Sequence, residues 1–254
     1  ETYYYLVPSI NSKGKSLYEV EEGNITDESF ISTKKIGKRV TYYLHKNVET
    51  FAREYILRSI ADKMKTSFDY EMIRPTSKCK LYFDLDLSGN GHLKKANKIK
   101  DYIIDKTKTI FETRFDVKLK TKNIKVYSSH NQDKSSYHII FDGYYFPSIL
   151  HVKELAESVY KDSGFDKGEI DMRVYNSHQQ FRCLYSHKKS DLPRWKIPAE
   201  NPDDYEICEA DLFESLVTYT KNSKLIEFDL SYNEKPKSDR TYSRVVKEVH
   251  GEHI

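Results

Sequence analysis

The amino-acid sequence predicts a mixed α+β fold, and three observations predict it. Short runs rich in Val, Ile, Tyr and Phe, several with alternating apolar and polar residues, recur along the chain. Stretches with helical period are few and stand between those runs. Several strand-like runs also follow one another directly, which favours a mixed sheet over a regular doubly wound parallel one. The 21 Tyr and 12 Phe among 254 residues supply core material despite a mean hydropathy of −0.75.

In order along the chain, residues 2–10 read as a strand rich in Tyr and Val, and 38–46 as a second. Residues 48–68 read as a helix, with Phe51, Tyr55, Leu57, Ile60 and Met64 on one broad face. Residues 80–87 form a strand that Ser88-Gly89-Asn90-Gly91 breaks. The next helix covers 92–115, with Leu93, Ala96, Ile99, Ile103, Ile110 and Phe111 near helical spacing and lysines opposite. Strands at 123–129 and 135–142 follow, joined by a short polar connection from His130 to Lys134. A helix over 148–163 closes at Gly164. Strands at 169–175 and 179–187 precede a loop over 191–204 containing Pro193, Pro198 and Pro202. A helix at 209–221 and a strand at 225–230 complete the pattern. We expect an N-terminal α/β portion over 1–75, a catalytic core over 76–230, and a polar tail or linker over 231–254 that leads toward a further domain.

Charge and cysteine usage narrow the classes. The 42 basic and 39 acidic residues give a net charge of +3, so bulk charge does not name a nucleic-acid partner. Such a balance is compatible with acidic metal ligands beside local basic grooves. Cys79, Cys183 and Cys208 lie far apart without a Cys-x-x-Cys pair, which argues against a zinc ribbon and for a reducing, intracellular compartment. No signal-peptide pattern or membrane-length apolar run occurs, so no membrane partner is expected. Gly14-Lys15-Ser16 resembles the end of a P-loop, but Ser9 stands where that motif needs glycine.

Three segments carry candidate chemistry. In Leu81-Tyr82-Phe83-Asp84-Leu85-Asp86-Leu87, strand alternation puts Asp84 and Asp86 on one face, roughly 6.5–7 Å apart. Two such carboxylates suit a hard divalent ion, Mg²⁺ or Mn²⁺; two solvated aspartates on an edge strand give the same pattern. In Lys134-Ser135-Ser136-Tyr137-His138, Ser136 and His138 share a face. With Lys134 they can hold a phosphate chain, although a lone histidine is more commonly half-buried and satisfied by a neighbour. A Ser-His hydrolase lacks support, since no Gly-x-Ser-x-Gly elbow appears. In the third segment Asp171 lies between Ile170 and Met172, and the following run carries Gln180, Arg182 and Lys188. That pattern fits a structural ion pair or a third metal ligand beside triphosphate-binding cations.

Together and in this order the segments resemble the archaeo-eukaryotic primase superfamily, which carries Asp-x-Asp, then Ser-x-His, then hydrophobic-Asp. Asp84-Leu85-Asp86, Ser136-Tyr137-His138 and Ile170-Asp171 match those motifs. The likeness is greatest to the primase–polymerase branch and to helicase-linked primases of large DNA viruses and mobile elements. Lys134 two residues before the motif serine, Asp171-Met172-Arg173-Val174-Tyr175, Phe181-Arg182 and Lys188 extend the match across about residues 80–189. Gln180 departs from the asparagine frequent there.

The resemblance implies a primase catalytic core with a mixed, RRM-like sheet flanked by helices. It implies nucleotidyl transfer: synthesis or extension of a primer on single-stranded DNA from NTPs or dNTPs, in DNA replication. Asp84, Asp86 and Asp171 would bind two Mg²⁺ or Mn²⁺ ions. Lys134, Ser136, His138, Arg182 and Lys188 would bind the nucleotide, and His138 would join the three aspartates in catalysis. A helicase or accessory priming domain is the expected partner; the abundance of Lys, Ile, Asn and Tyr fits an AT-rich genome, compatible with the viral or mobile-element source that the resemblance suggests. Two other readings are a metal-dependent glycosyltransferase with Asp-x-Asp, and a non-catalytic nucleic-acid-binding module. The glycosyltransferase leaves the Ser-x-His and Asp171 segments unexplained.

Overall fold

Two-residue alternation and helical period together build two principal sheets and their covering helices. The computed structural model describes residues 4–6, 9–10, 16–17, 28–36, 39–61, 68–161, 163–166, 168–176, 179–187, 195–200 and 207–231. The strands are β1 (Tyr4–Leu6), β2 (Ser9–Ile10), β3 (Ser16–Leu17), β4 (Phe30–Ile36), β5 (Arg39–His45), β6 (Asp69–Ile73), β7 (Cys79–Ser88), β8 (Ile124–Ser128), β9 (Lys134–Phe146), β10 (Gln179–Arg182), β11 (Ile197–Pro198) and β12 (Lys224–Leu225). The helices are α1 (Val48–Ala61), α2 (His92–Phe115), α3 (Ile149–Tyr160) and α4 (Glu209–Ser215). The architecture is α+β. Among the described residues no helix is long and apolar enough to cross a membrane.

The first sheet runs β1-β5-β4-β6-β10. β10 pairs antiparallel with β6, Gln180 opposite Met72, so a strand from late in the chain completes a sheet begun by the N-terminal strands. Hydrogen bonding in this sheet therefore crosses residue 76. In the second sheet β9 is central, with β7 on one side and β8 on the other, and β11 and β12 extend it. α2 and α3 pack against β7 and β9. α2 turns Ala96, Ile99, Ile103, Thr107 and Phe111 into the core; Phe111 stacks near Phe141, which meets Phe83 edge-on. Leu93, also on the expected apolar face, is exposed. Asp116 ends α2 in the left-handed conformation (φ 53°), and Val117 N–H closes on the Phe111 carbonyl at 3.0 Å.

The face of β10 meets the second sheet through aromatic rings. Phe181 packs on Tyr82 at 4.8 Å between ring centres, and Tyr82 packs on Tyr175 at 5.2 Å. The Tyr82 hydroxyl donates to the Val174 carbonyl at 2.6 Å, and the Tyr175 hydroxyl donates to the Tyr82 carbonyl. Burial pushes both phenols well above their usual pKa. These contacts bury β7 on both faces from Cys79 to Phe83; exposure returns at Asp84, Asp86 and Ser88.

The structure corrects several expected elements. β4 and β6 are strands that hydropathy did not reveal; in β6 the charged Asp69 and Glu71 are buried. Glu71 is bound by Val217 N–H at 2.9 Å, Thr218 N–H at 3.1 Å and the Thr218 hydroxyl at 2.9 Å. The same bonds draw the chain out of α4, which stops at Ser215 rather than continuing to 221. Residues 169–175 are not a strand. Ile170 makes a single antiparallel bridge to Leu85, and Met172–Tyr175 then form a 3₁₀ turn capped by the Asp171 side chain. Accordingly β10 pairs with β6 and not with the Asp171 segment. The strand expected at 225–230 is limited to Lys224–Leu225. Most of the 191–204 loop, Lys188, Gly14-Lys15 and the tail after residue 231 lie outside the described residues.

Candidate active site

Strand register builds the candidate site. β7 and β9 run antiparallel with Asp84 opposite His138, Asp86 opposite Ser136, and Ser88 opposite Lys134. Directly opposed residues project to the same side of a sheet. The Asp-x-Asp and Ser-x-His segments thus lie side by side although some fifty residues of sequence separate them. The Leu85–Ile170 bridge occupies the other edge of β7, and there Asp171 N–H donates to the Asp84 carbonyl at 2.9 Å. The two strand carboxylates are therefore flanked by Ser136 and His138 on one edge and by Asp171 on the other.

The site has a partly exposed rim and a buried floor. Asp84, Asp86, Asp171 and Lys134 are half-buried, whereas Ser136, His138 and Arg182 are buried. His138 stacks on Phe181 with ring centres 4.3 Å apart, and its Nε2 lies 3.5 Å from Asp84 Oδ1. Ser136 N–H donates to His130 Nδ1 at 3.1 Å, while its carbonyl accepts from Ser129 N–H at 3.0 Å. Arg182 Nη1 donates to Ser129 Oγ at 3.2 Å, which ties β10 to the end of β8, the neighbour of the Ser-x-His strand.

Each rim carboxylate is turned toward a protein cation or histidine. Lys134 Nζ donates to Asp86 Oδ2 at 2.6 Å. Arg173 grips Asp171 with Nε on Oδ1 at 2.8 Å and Nη2 on Oδ2 at 2.9 Å, a two-pronged pair. The hydrogen bond it donates to Asp171, and then the charge of that carboxylate, push the Arg173 guanidinium above its usual pKa, and Asp84 and Asp86 add to the effect. All three carboxylates act on one guanidinium.

Among the described residues, no three His, Cys, Asp or Glu side chains form a metal-ligand group in these rotamers. The Asp86 and Asp171 oxygens are directed at lysine and arginine, and Asp84 Oδ1 faces His138. In type the donors fit a hard divalent ion: three carboxylates on neighbouring backbone positions, partly screened from water. Asp84, Asp86 and Asp171 would hold such an ion.

The sequence reading missed two site neighbours. Arg173 is one; its position two residues after Asp171 was the available signal, because a guanidinium there can reach back to the capping carboxylate. Lys196 is the other. It is buried, donates to the Arg182 carbonyl at 2.7 Å and lies 4.6 Å from the Phe181 ring centre. Burial lowers its pKa to about 7, against the opposing pull of Glu71. Nothing local marks a lysine in a proline-rich loop as buried. Comparison of the chain with protein-family models and with curated proteins found no match.

Proposed function

We propose that this chain is a template-directed nucleotidyltransferase, a primase or primase–polymerase module acting on single-stranded DNA with NTPs or dNTPs. The observation that carries the reading is the β7–β9 register, Asp84 opposite His138 and Asp86 opposite Ser136, with Asp171 beside the Leu85–Ile170 bridge at the far edge of β7. A glycosyltransferase Asp-x-Asp site has no need of that cross-strand serine and histidine.

Asp84, Asp86 and Asp171 would supply the negative charge that holds divalent ions. Divalent ions bound there would lower the cost of charge on the attacking 3′-oxygen and on the departing pyrophosphate. Lys134, Ser136, His138 and Arg182 are assigned to the triphosphate, with Lys188 from the adjoining segment. His138, pressed flat on Phe181, has little rotational freedom, so a hydrogen bond it donates costs little ordering entropy. The buried floor excludes water from the phosphates, which strengthens each charged contact.

Primer extension on a single-stranded template, with labelled nucleotides and Mg²⁺ or Mn²⁺, tests the reading. Asp84→Ala, Asp86→Ala and Asp171→Ala are expected to abolish synthesis, with little change in melting temperature for the first two, whose pairs lie at a partly exposed rim, and a modest loss for Asp171→Ala, which also removes the cap on Arg173 N–H. His138→Ala is expected to weaken nucleotide binding by roughly ten- to a hundredfold, the worth of a hydrogen bond to a charged group, while sparing template binding. Substantial synthesis by any aspartate variant overturns the assignment.

A further inference from the structure

Arg173 is placed for a task that the assignment above does not use. Its side chain is 84% exposed, yet both prongs are committed to Asp171. Asp84, Asp86 and Asp171 sit on neighbouring backbone positions and repel one another, and Arg173 with Lys134 supplies positive charge that offsets this. A divalent ion needs the same oxygens. A guanidinium that spans both oxygens of Asp171 therefore competes directly with a metal for that ligand.

We propose that Arg173 is a displaceable counter-cation of the metal site. A divalent ion gains Asp171 when Arg173 releases it, and the triphosphate of the incoming nucleotide is the anion to which Arg173 transfers. This rests on the nucleotidyl-transfer reading. A guanidinium fork suits phosphate oxygens as well as it suits a carboxylate. The exposed position lets it swing without disturbing the core. Arg173 is thus a positioning residue in the metal-free protein and a phosphate contact in the loaded one. Metal and nucleotide then favour each other's binding, since the move that frees Asp171 also supplies a cation to the phosphates.

Replacing Arg173 by Ala is mild for the fold. The backbone N–H of residue 173 donates to Asp171 Oδ1 at 3.0 Å, and that capping bond survives in alanine. The test is a pair of titrations on the full chain, wild type against Arg173→Ala. Mn²⁺ alone is titrated by the loss of its free electron-paramagnetic-resonance signal. A non-hydrolysable nucleoside triphosphate is titrated separately, in EDTA. The expected result is a pair of opposite shifts. Mn²⁺ binds the variant roughly two- to tenfold tighter, because an exposed ion pair no longer competes, and the triphosphate binds it more weakly. Arg173→Lys, which keeps the charge and loses the fork, falls between the two. If Mn²⁺ binding is unchanged or weaker in Arg173→Ala, Arg173 does not compete for Asp171 and the proposal is overturned. Tighter Mn²⁺ with unchanged triphosphate affinity overturns the transfer to phosphate. If the wild type binds neither Mn²⁺ nor triphosphate, the nucleotidyl-transfer reading itself falls.

Discussion

Lys196 illustrates how a single buried charge shapes the region beneath the site. Its ammonium is packed against Phe181 and Tyr127, at 4.6 and 5.3 Å from their ring centres. Burial lowers its pKa to about 7, with Glu71 opposing, Cys183 and Asp84 pulling the same way as Glu71, and Arg182 pushing it further down. An unfolded lysine keeps its proton up to about pH 10.4. Between about pH 7 and that value the unfolded chain therefore binds a proton that the folded chain does not. Stability from this group rises with pH across that window, by at most about 1.4 kcal/mol per pH unit. Urea unfolding at pH 7 and pH 9 should show the rise in the wild type, and Lys196→Met should flatten it. An equal slope in the variant would assign the pH dependence to other groups. Because Phe181 also backs His138, the same variant is expected to disturb nucleotide binding more than template binding.

Among the elements, β9 does the most to organise the molecule. It carries Ser136 and His138 at one end and continues to Phe146, past the expected end at 142. The continuation passes through Gly143, whose φ of +88° is unfavourable for any residue with a Cβ. A Cβ there would also stand 2.6 Å from Asn123 Nδ2, which donates to the Asp142 carbonyl at 3.0 Å. Gly143→Ala should destabilise the protein by about 1–3 kcal/mol through strain and displacement of Asn123. Chemical denaturation measures that loss directly, and a cost near zero would mean that the strand relaxes there. The site end of β9 is remote from Gly143 along the strand, so nucleotide affinity should change little while the fold persists.

In the molecule as a whole, contacts between segments distant in sequence hold the elements together. Tyr55 of α1 donates to the Leu184 carbonyl at 2.6 Å and meets the Ser186 hydroxyl at 2.8 Å, which fixes the chain after β10. At the other side, Ser231 N–H donates to Glu154 Oε2 at 2.8 Å, while Arg114 pairs with Oε1 at 2.9 Å. Glu154 thereby joins α2, α3 and the end of the described chain. Truncation immediately after Ser231 keeps this contact. It is expected to leave extension of a preformed primer nearly unchanged, because the charged segment beyond has too few apolar residues to fold as a domain by itself. Loss of extension or of cooperative unfolding in the truncated protein would make that segment part of the catalytic unit.

Local chemistry in the chain was enough to read α2, β7, the shared face of Asp84 and Asp86, and the shared face of Ser136 and His138. Each follows from the period of residues close in sequence, three to four in a helix and two in a strand. The pairing of β7 with β9 was not legible in this way. Alternation places two side chains on a face without stating which strand lies beside it, and a slip of one residue would turn the whole set over. Burial of both faces of β7 selects the register, through Phe83 against the helix side and Tyr82 against Phe181 and Tyr175. Asp171 was legible as a polar residue beside Ile170. Its place as a turn cap against the open edge of β7 comes from the Leu85–Ile170 bridge and the grip of Arg173. β6 and Lys196 were hidden for one physical reason. A charged residue reads as surface until its buried partners are known, and the partners of Glu71 and Lys196 lie far along the chain, at Thr218 and at Arg182.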